Sequence, residues 1–146
     1  MDRSCGCWFV EMTVNGVASV ESYPLPDEFR WGVYHSMKVE RDGKHMKVMI
    51  DDLPAPGKSE FTFIAMNQAG LAGVFDDGRD SRFEGSIYTI GFDRMQEALD
   101  NEYVKVAGEL LSDYEFSSQI SGLGADGCAG LYAVYVNKDN YVSVTV

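Results

Sequence analysis

Long apolar runs are missing from the 146 residues: none approaches the roughly 20 residues that a membrane-spanning helix requires, so no such helix is expected. The opening Met1-Asp2-Arg3-Ser4-Cys5-Gly6-Cys7 lacks the basic leader and apolar stretch of a secretory signal, and a cytoplasmic location is the expectation. Basic residues are scarce, with 12 Lys and Arg against 23 Asp and Glu and a net charge of −11. Contact with a phosphate backbone is driven by Lys and Arg displacing condensed counterions, so direct binding of nucleic acid is not expected. Cysteine is limited to Cys5, Cys7 and Cys128, an odd count without repeated spacing, which fits reduced thiols better than a disulfide framework. A zinc site built on Cys5 and Cys7 would need a second closely spaced ligand pair. Neither His35 nor His45, the two histidines, stands in one.

What is present describes an ordinary folded domain. Apolar residues make up 45%, charged residues 24% and aromatics 12%, enough to build one core over residues 1–146 and too rich for disorder. The charge is unevenly placed. Residues 1–50 carry seven acids against six bases, and residues 51–146 carry sixteen against six. An acidic exterior over the later part of the chain steers basic partners, although the same charge also serves solubility.

The local pattern is that of strands and turns. Asn15-Gly16 separates two runs rich in β-branched and aromatic residues, and Asn-Gly supplies the positive φ angles of a type I′ hairpin turn. Trp8, Val10, Met12 and Val14 alternate with Phe9, Glu11 and Thr13, giving one apolar face. Pro24 and Pro26 break the pattern, and the chain through Arg30 reads as a loop. Trp31 to Arg41 and Lys44 to Asp51 form a second hairpin around Asp42-Gly43, placing Val39 opposite Met46 and Met37 opposite Val48 on one face. The other face pairs Glu40 with His45 and Lys38 with Lys47. Leu53-Pro54-Ala55-Pro56-Gly57 breaks the chain again, at a joint between two layers of sheet.

Glu60 to Met66, Leu71 to Phe75 and Phe83 to Phe92 read as further strands, with Asp76 to Asp80 an exposed loop. One helix is predicted from Asp93, where an N-cap is followed by Gln96 and by Met95, Ala98 and Leu99 on one face. Residues 103–116 fit a helix and a strand equally. Phe116 to Ser121, Leu131 to Asn137 and Tyr141 to Val146 read as a meander. The expected fold is mainly β: an antiparallel sandwich or partly open barrel with at most one or two short helices.

Asn67-Gln68-Ala69-Gly70-Leu71-Ala72-Gly73-Val74-Phe75-Asp76, the Ile87-Tyr88 strand and Ser121-Gly122-Leu123-Gly124-Ala125-Asp126-Gly127-Cys128 followed by Tyr132-Ala133-Val134-Tyr135-Val136 carry a resemblance. From residue 61 onward the chain resembles a family of uncharacterised bacterial and phage-borne proteins with a Val-Asp-Ser-Gly-Gln-Ala-Gly-Ile-Phe-Asp-like stretch and a closing Ser-Gly-x-Gly-Asp-Gly-Ser-Tyr-x-x-Tyr-Val segment. The resemblance rests on glycines, aromatics and spacing, so it implies a fold and little chemistry. Gln68, Ala69 and Leu71 replace the family's Asp, Ser and Gln, and the Gly-Asp-Gly turn is longer. Gly70, Gly73, Gly122 and Gly127 read as turn or bulge positions.

Reactive constellations are few. Gly122-Leu123-Gly124-Ala125-Asp126-Gly127 precedes a strand, whereas a dinucleotide fingerprint must open a helix. Asp76, Asp77 and Asp80 lack the spacing and closing Glu of a calcium loop. Cys128 beside His35 or His45 has no support in spacing, and no enzyme and no cofactor are expected. Two functional classes stand. The first is a protein-binding module, an inhibitor of a nucleic-acid-handling complex, that meets a basic partner through Asp76, Asp77, Asp80, Glu84, Asp113, Glu115 and Asp126. The second is a β-domain that binds a small molecule or divalent cation through loop carboxylates near Asp76 and Asp126.

Overall fold

The computed structural model describes residues 6–66, 68, 70–76, 85–90, 95–97, 103–107, 113–122 and 129–146. Alternating apolar residues and tight turns leave the chain little choice but strands, and they pair into two antiparallel sheets. The first sheet runs, in spatial order, β2 (Val17–Pro24), β1 (Cys7–Val14), β13 (Asn140–Thr145), β12 (Ala129–Asn137), β7 (Leu71–Asp76), β10 (Tyr103–Ala107) and β9 (Met95–Glu97). The second runs β5 (Leu53–Pro54), β4 (His45–Ile50), β3 (His35–Asp42), β11 (Asp113–Gly122) and β8 (Gly85–Ile90), with β6 (Glu60–Thr62) also paired to β4. Both sheets are open and neither closes into a barrel, so the sandwich is the form adopted. Among the described residues the only helical turn is a 3₁₀ turn at Ile64–Met66, and no helix is long and apolar enough to cross a membrane.

One core joins the inner faces. Trp8, Val10, Leu131, Val142 and Val144 of the first sheet and Met37, Val39, Val48, Ile50, Phe116 and Ile120 of the second form a single buried cluster, as two facing sheets with period-2 side chains require. Trp8 marks one edge of this contact. Its ring centroid lies 5.0 Å from that of Tyr23 on β2 and 6.1 Å from that of Phe61 on β6, and its indole N–H donates to the Pro56 carbonyl at 3.1 Å.

The first hairpin follows its sequence. Asn15 and Gly16 have φ of 50° and 76°, and Val14 pairs with Val17. The second differs by two positions. Asp42 pairs with His45, leaving Gly43-Lys44 as the turn with φ of 53° at Gly43. Glycine at the first central position is the type II′ solution. A shift of two preserves the faces, so Met37, Val39, Met46 and Val48 stay inside, but Val39 now faces Val48, and Arg41, on the same buried side, lies opposite Met46. Arg41 is satisfied there by carbonyls: Nε donates to Gly43 at 2.8 Å, and Nη2 to Met66 at 3.1 Å and Gln68 at 2.6 Å. Burial lowers its pKa, while Tyr114 and Asp113 favour its charge. Tyr114 hydrogen-bonds the Ala133 carbonyl across the sandwich, and burial raises the pKa of its phenol.

Other expectations are corrected. Leu53–Pro54 stays in the second sheet, pairing with β4 as β6 does, so the proline-rich break is not a joint between layers. Met95–Glu97 is a strand on β10 and not part of a helix, because Gln96 pairs with Val106; Asp93, Ala98 and Leu99 lie outside the described residues. The ambiguous segment contributes strands at Tyr103–Ala107 and from Asp113. The tail is not one meander, since β11 pairs with β3 and β8 in the second sheet whereas β12 and β13 lie in the first. Gly70 is not a positive-φ position: a Cβ there would strike Val134, so close approach requires the glycine. Gly127 lies outside the described residues.

A register shift in β12 between Tyr132 and Val134 explains the Tyr-x-x-Tyr spacing. Without it, residues three apart would point to opposite faces. With it, Leu131 and Val134 both face the core partners Val144 and Val142, while Tyr132 and Tyr135 share the other face with centroids 4.9 Å apart. Cys7 is disulfide-bonded, contrary to the reduced thiols expected. The other two cysteines lie outside the described residues. The odd count was a weak guide, because one bridge can form and leave a cysteine over.

Candidate functional site

The clearest unexplained surface lies on the loop between β2 and β3. Its base is fastened to the protein. The Leu25 amide donates to the Gly6 carbonyl at 2.9 Å, the Phe29 amide to Pro26 at 2.9 Å, and both Leu25 and Phe29 pack against the core. The crest, Trp31-Gly32-Val33-Tyr34, turns the other way. Gly32 has φ of 85°, a backbone shape that suits glycine, and it reverses the chain there. Val33 is 50% exposed, Tyr34 55% and Trp31 36%. Scattered apolar residues on a surface are ordinary, but three within four residues on an anchored loop are not.

His35 locks the crest to a second segment. It is 8% exposed and stacks on Phe29 at 3.9 Å between centroids. Its Nδ1 lies 2.7 Å from Asp51 Oδ2, and its Nε2 lies 3.1 Å from the Arg30 amide nitrogen and 3.0 Å from the Arg30 carbonyl oxygen. Asp51 and Asp52, both with positive φ of 52° and 62°, make the turn from β4 to β5. Asp51 closes on the strand start from both sides: its Oδ1 accepts from the Ser36 amide at 3.0 Å and its own amide donates to the Ser36 carbonyl at 2.9 Å. Leu53, two residues on, is 68% exposed. The apolar crest and Leu53 are therefore tied through one His–Asp contact. Exposed carboxyl residues stand on the same segments, Asp27 and Glu28 on the loop and Asp51 and Asp52 on the β4–β5 turn, and the Arg30 guanidinium turns back onto the carbonyls of Asp27 and Phe29.

Ser36 does not complete the His–Asp pair. Ser36 follows His35 in the strand, so their side chains leave opposite faces. Ser36 Oγ is buried and has no hydrogen-bond partner among the described residues. Replacing it removes an unsatisfied group, and Ser36→Ala is expected to leave stability unchanged or raise it by up to about 1 kcal/mol. Chemical denaturation checks this; a loss above about 1 kcal/mol would show that the hydroxyl has a partner.

Of the acids expected to form a partner surface, Asp113 and Glu115 are described side chains, and β11 brings them to one exposed face opposite Asp42 and Glu40. They work within the fold. Asp113 Oδ1 accepts from the Gly43 amide at 3.0 Å, and Glu115 meets Lys38 Nζ at 2.9 Å, with Glu40 3.3 Å from the same nitrogen. Lys38 relieves carboxylates that would otherwise repel across the ladder, and the hydrogen bond it donates to Glu115 raises its pKa. Asp76 ends β7, paired with Tyr103 and Ala129. Asp77, Asp80, Glu84 and Asp126 lie outside the described residues.

An open groove of about 540 Å³ beside β3, β4 and β6 is lined by Glu40, Asp42, Glu60, His45, Lys47 and Thr62 among others. Its mixed charges select no ligand, and His45 is engaged with Thr62 at 3.2 Å. Among the described residues no group of three or more His, Cys, Asp or Glu is placed to hold a metal ion.

These features define a two-sheet antiparallel β-protein that presents an anchored aromatic loop. Comparison with protein-family models, curated proteins and solved structures finds no match for the chain.

Proposed function

We propose that the chain is a protein-binding module, not an enzyme, and that it docks through Trp31, Val33, Tyr34 and Leu53. The observation that carries this reading is the exposure of those residues on segments held rigid by Leu25, Phe29 and the His35–Asp51 contact. Aromatic side chains on a pre-ordered surface are the usual anchors of protein interfaces, because little entropy is lost when they are covered. The frame of Asp27, Glu28, Asp51 and Asp52, on a chain of net charge −11, calls for a partner with Lys and Arg around an apolar recess. A basic surface of that kind is what a nucleic-acid-handling complex offers its substrate, and occupying it makes this protein an antagonist of such a complex. The resemblance to phage-borne proteins supports the same role. The acids of β11 then contribute to the long-range field and not to the contact.

The test is capture from an extract of the native host on immobilised wild-type protein and on a Trp31→Ala, Tyr34→Ala variant in parallel. The expected result is a basic protein retained by the wild type and absent from the variant. Equal retention on both would remove the crest as the docking surface.

A further inference from the structure

We propose that the outer edge of β2 pairs antiparallel with β2 of a second copy of the chain, joining two first sheets into one across a two-fold axis at Val20. β2 ends its sheet and is the longest of the four end strands, with eight residues against six in β8, three in β9 and two in β5. Which of its backbone groups face outward follows from the hairpin. The two-residue turn at Asn15-Gly16 closes on a hydrogen-bonded Val14–Val17 pair, and such pairs recur at every second residue. Val17, Ser19, Glu21 and Tyr23 therefore direct their N–H and C=O groups to β1, and the bond from the Leu25 amide to the Gly6 carbonyl continues that alternation. Ala18, Val20 and Ser22 point theirs away from β1, where they bond to no described residue.

Proteins blunt a free sheet edge with lysine, proline, a bulge or a very short strand. Between Val17 and Tyr23, β2 has none of these. Its pairing with β1 runs through eight successive positions without a register shift, and its one charged side chain, Glu21, is held by Lys58 at 2.9 Å and by the Tyr23 hydroxyl. Pro24, which lacks an N–H, ends the edge. The edge is also complementary to itself. With Val20 opposite Val20 of the second copy, Ala18 meets Ser22 and Ser22 meets Ala18, and each pair exchanges both of its N–H···O bonds. On the other face Glu21 meets Ser19, and the exposed Val17 gains the ring of Tyr23 as a cross-strand neighbour. The adjacent registers are worse. Moving the axis to Glu21 sets two carboxylates opposite each other and gives Ala18 a proline for a partner. Moving it to Ser19 sets Ser22 against Gly16, whose amide already donates to Asp139. One two-fold pairing covers this edge in both copies, so association closes at a dimer.

The dimer does not depend on the docking reading above, which uses another surface. The intact protein is followed by sedimentation equilibrium across a wide range of concentration, with amide hydrogen exchange read by NMR in dilute and concentrated samples. The expected result is a dimer at high concentration. In it the amides of Ala18, Val20 and Ser22 become protected, whereas those of Ser19, Glu21 and Tyr23 are protected in monomer and dimer alike. Val20→Pro removes an outward N–H and no bond to β1, so it should keep the wild-type circular dichroism and lose the dimer. Val20→Lys keeps the backbone, sets two like charges across the axis, and should lose the dimer as well. Each copy carries a net charge of −11, so the wild-type dimer should tighten as salt rises, the reverse of docking onto a basic partner. A monomer at every concentration, a dimer whose three outward amides exchange freely, or a Val20→Lys variant that dimerises like wild type would overturn the proposal. If the three amides are protected only when a partner protein is added, a foreign strand occupies the edge and the second copy is ruled out. A dimer that survives Trp31→Ala and Tyr34→Ala stands whether or not the crest captures a partner.

Discussion

Trp8→Ala is expected to lower the free energy of unfolding by about 3–5 kcal/mol. Trp8 is fully buried on β1, one strand in from the end of the first sheet, and it touches the second sheet through Phe61 and the Pro56 carbonyl. Removing the indole leaves a cavity between the layers and an unpaired carbonyl at the edge. A domain of this size has a total of about 5–15 kcal/mol, so the loss brings the variant close to unfolding. Trp8→Phe separates the contributions: it retains much of the packing, loses the hydrogen bond, and should cost less than half as much. Urea denaturation followed by circular dichroism measures both. A change below about 1 kcal/mol for Trp8→Ala would mean that this edge does not hold the two sheets together.

Trp31→Ala and Tyr34→Ala are expected to do the opposite. Neither side chain belongs to the core, so Tyr34→Ala should move stability by no more than about 0.5 kcal/mol; Trp31 packs edge-on to Phe29 with centroids 5.1 Å apart, so Trp31→Ala should cost about 1 kcal/mol. Each should weaken partner binding by about 2 kcal/mol or more, the scale of an interface anchor, which is about 30-fold in Kd. Ile64 is the control. It is 80% exposed, more than any residue of the crest, but stands on the 3₁₀ turn away from the framed loop. Ile64→Ala should leave the affinity unchanged. If it weakens binding as much as Trp31→Ala does, exposure alone governs association and the crest has no special part in it.

The legible part of this fold was whatever local backbone chemistry decides. Asn15-Gly16 announces a type I′ turn because few other pairs tolerate two positive φ angles in succession, and the turn is where the sequence places it. Asp42-Gly43 announces the same turn and misplaces the register by two, because Gly43 serves equally as the first residue of a type II′ turn. What decides between them is distant: the observed register sends Arg41 to the carbonyls of Met66 and Gln68. The Met95–Glu97 strand was hidden for a similar reason. Its helical spacing is real, but β10 offers a ladder to pair with, and tertiary pairing outweighs a single predicted cap. β11 joining the second sheet instead of the tail hairpin is likewise a non-local choice.

The candidate site was the least legible part. The acids of the later chain drew attention by number, yet Asp113 and Glu115 are occupied within the fold. Pro24 to Arg30 reads as a proline-broken loop and Trp31 as the start of a strand, whereas the strand begins at His35. A signal was available in Trp31-Gly32-Val33-Tyr34, an apolar run inside a segment whose neighbours are prolines and charges. Only the anchoring of Leu25, Phe29 and His35 below it shows that it is crest.

The most direct test of the account is the affinity of the captured partner measured at low and physiological salt, for wild type and for an Asp27→Asn, Glu28→Gln, Asp52→Asn variant. An acidic frame guiding a basic partner predicts that wild-type affinity falls as salt rises. The variant should bind more weakly at low salt and show a shallower dependence. Equal affinities with the same salt dependence would contradict the account.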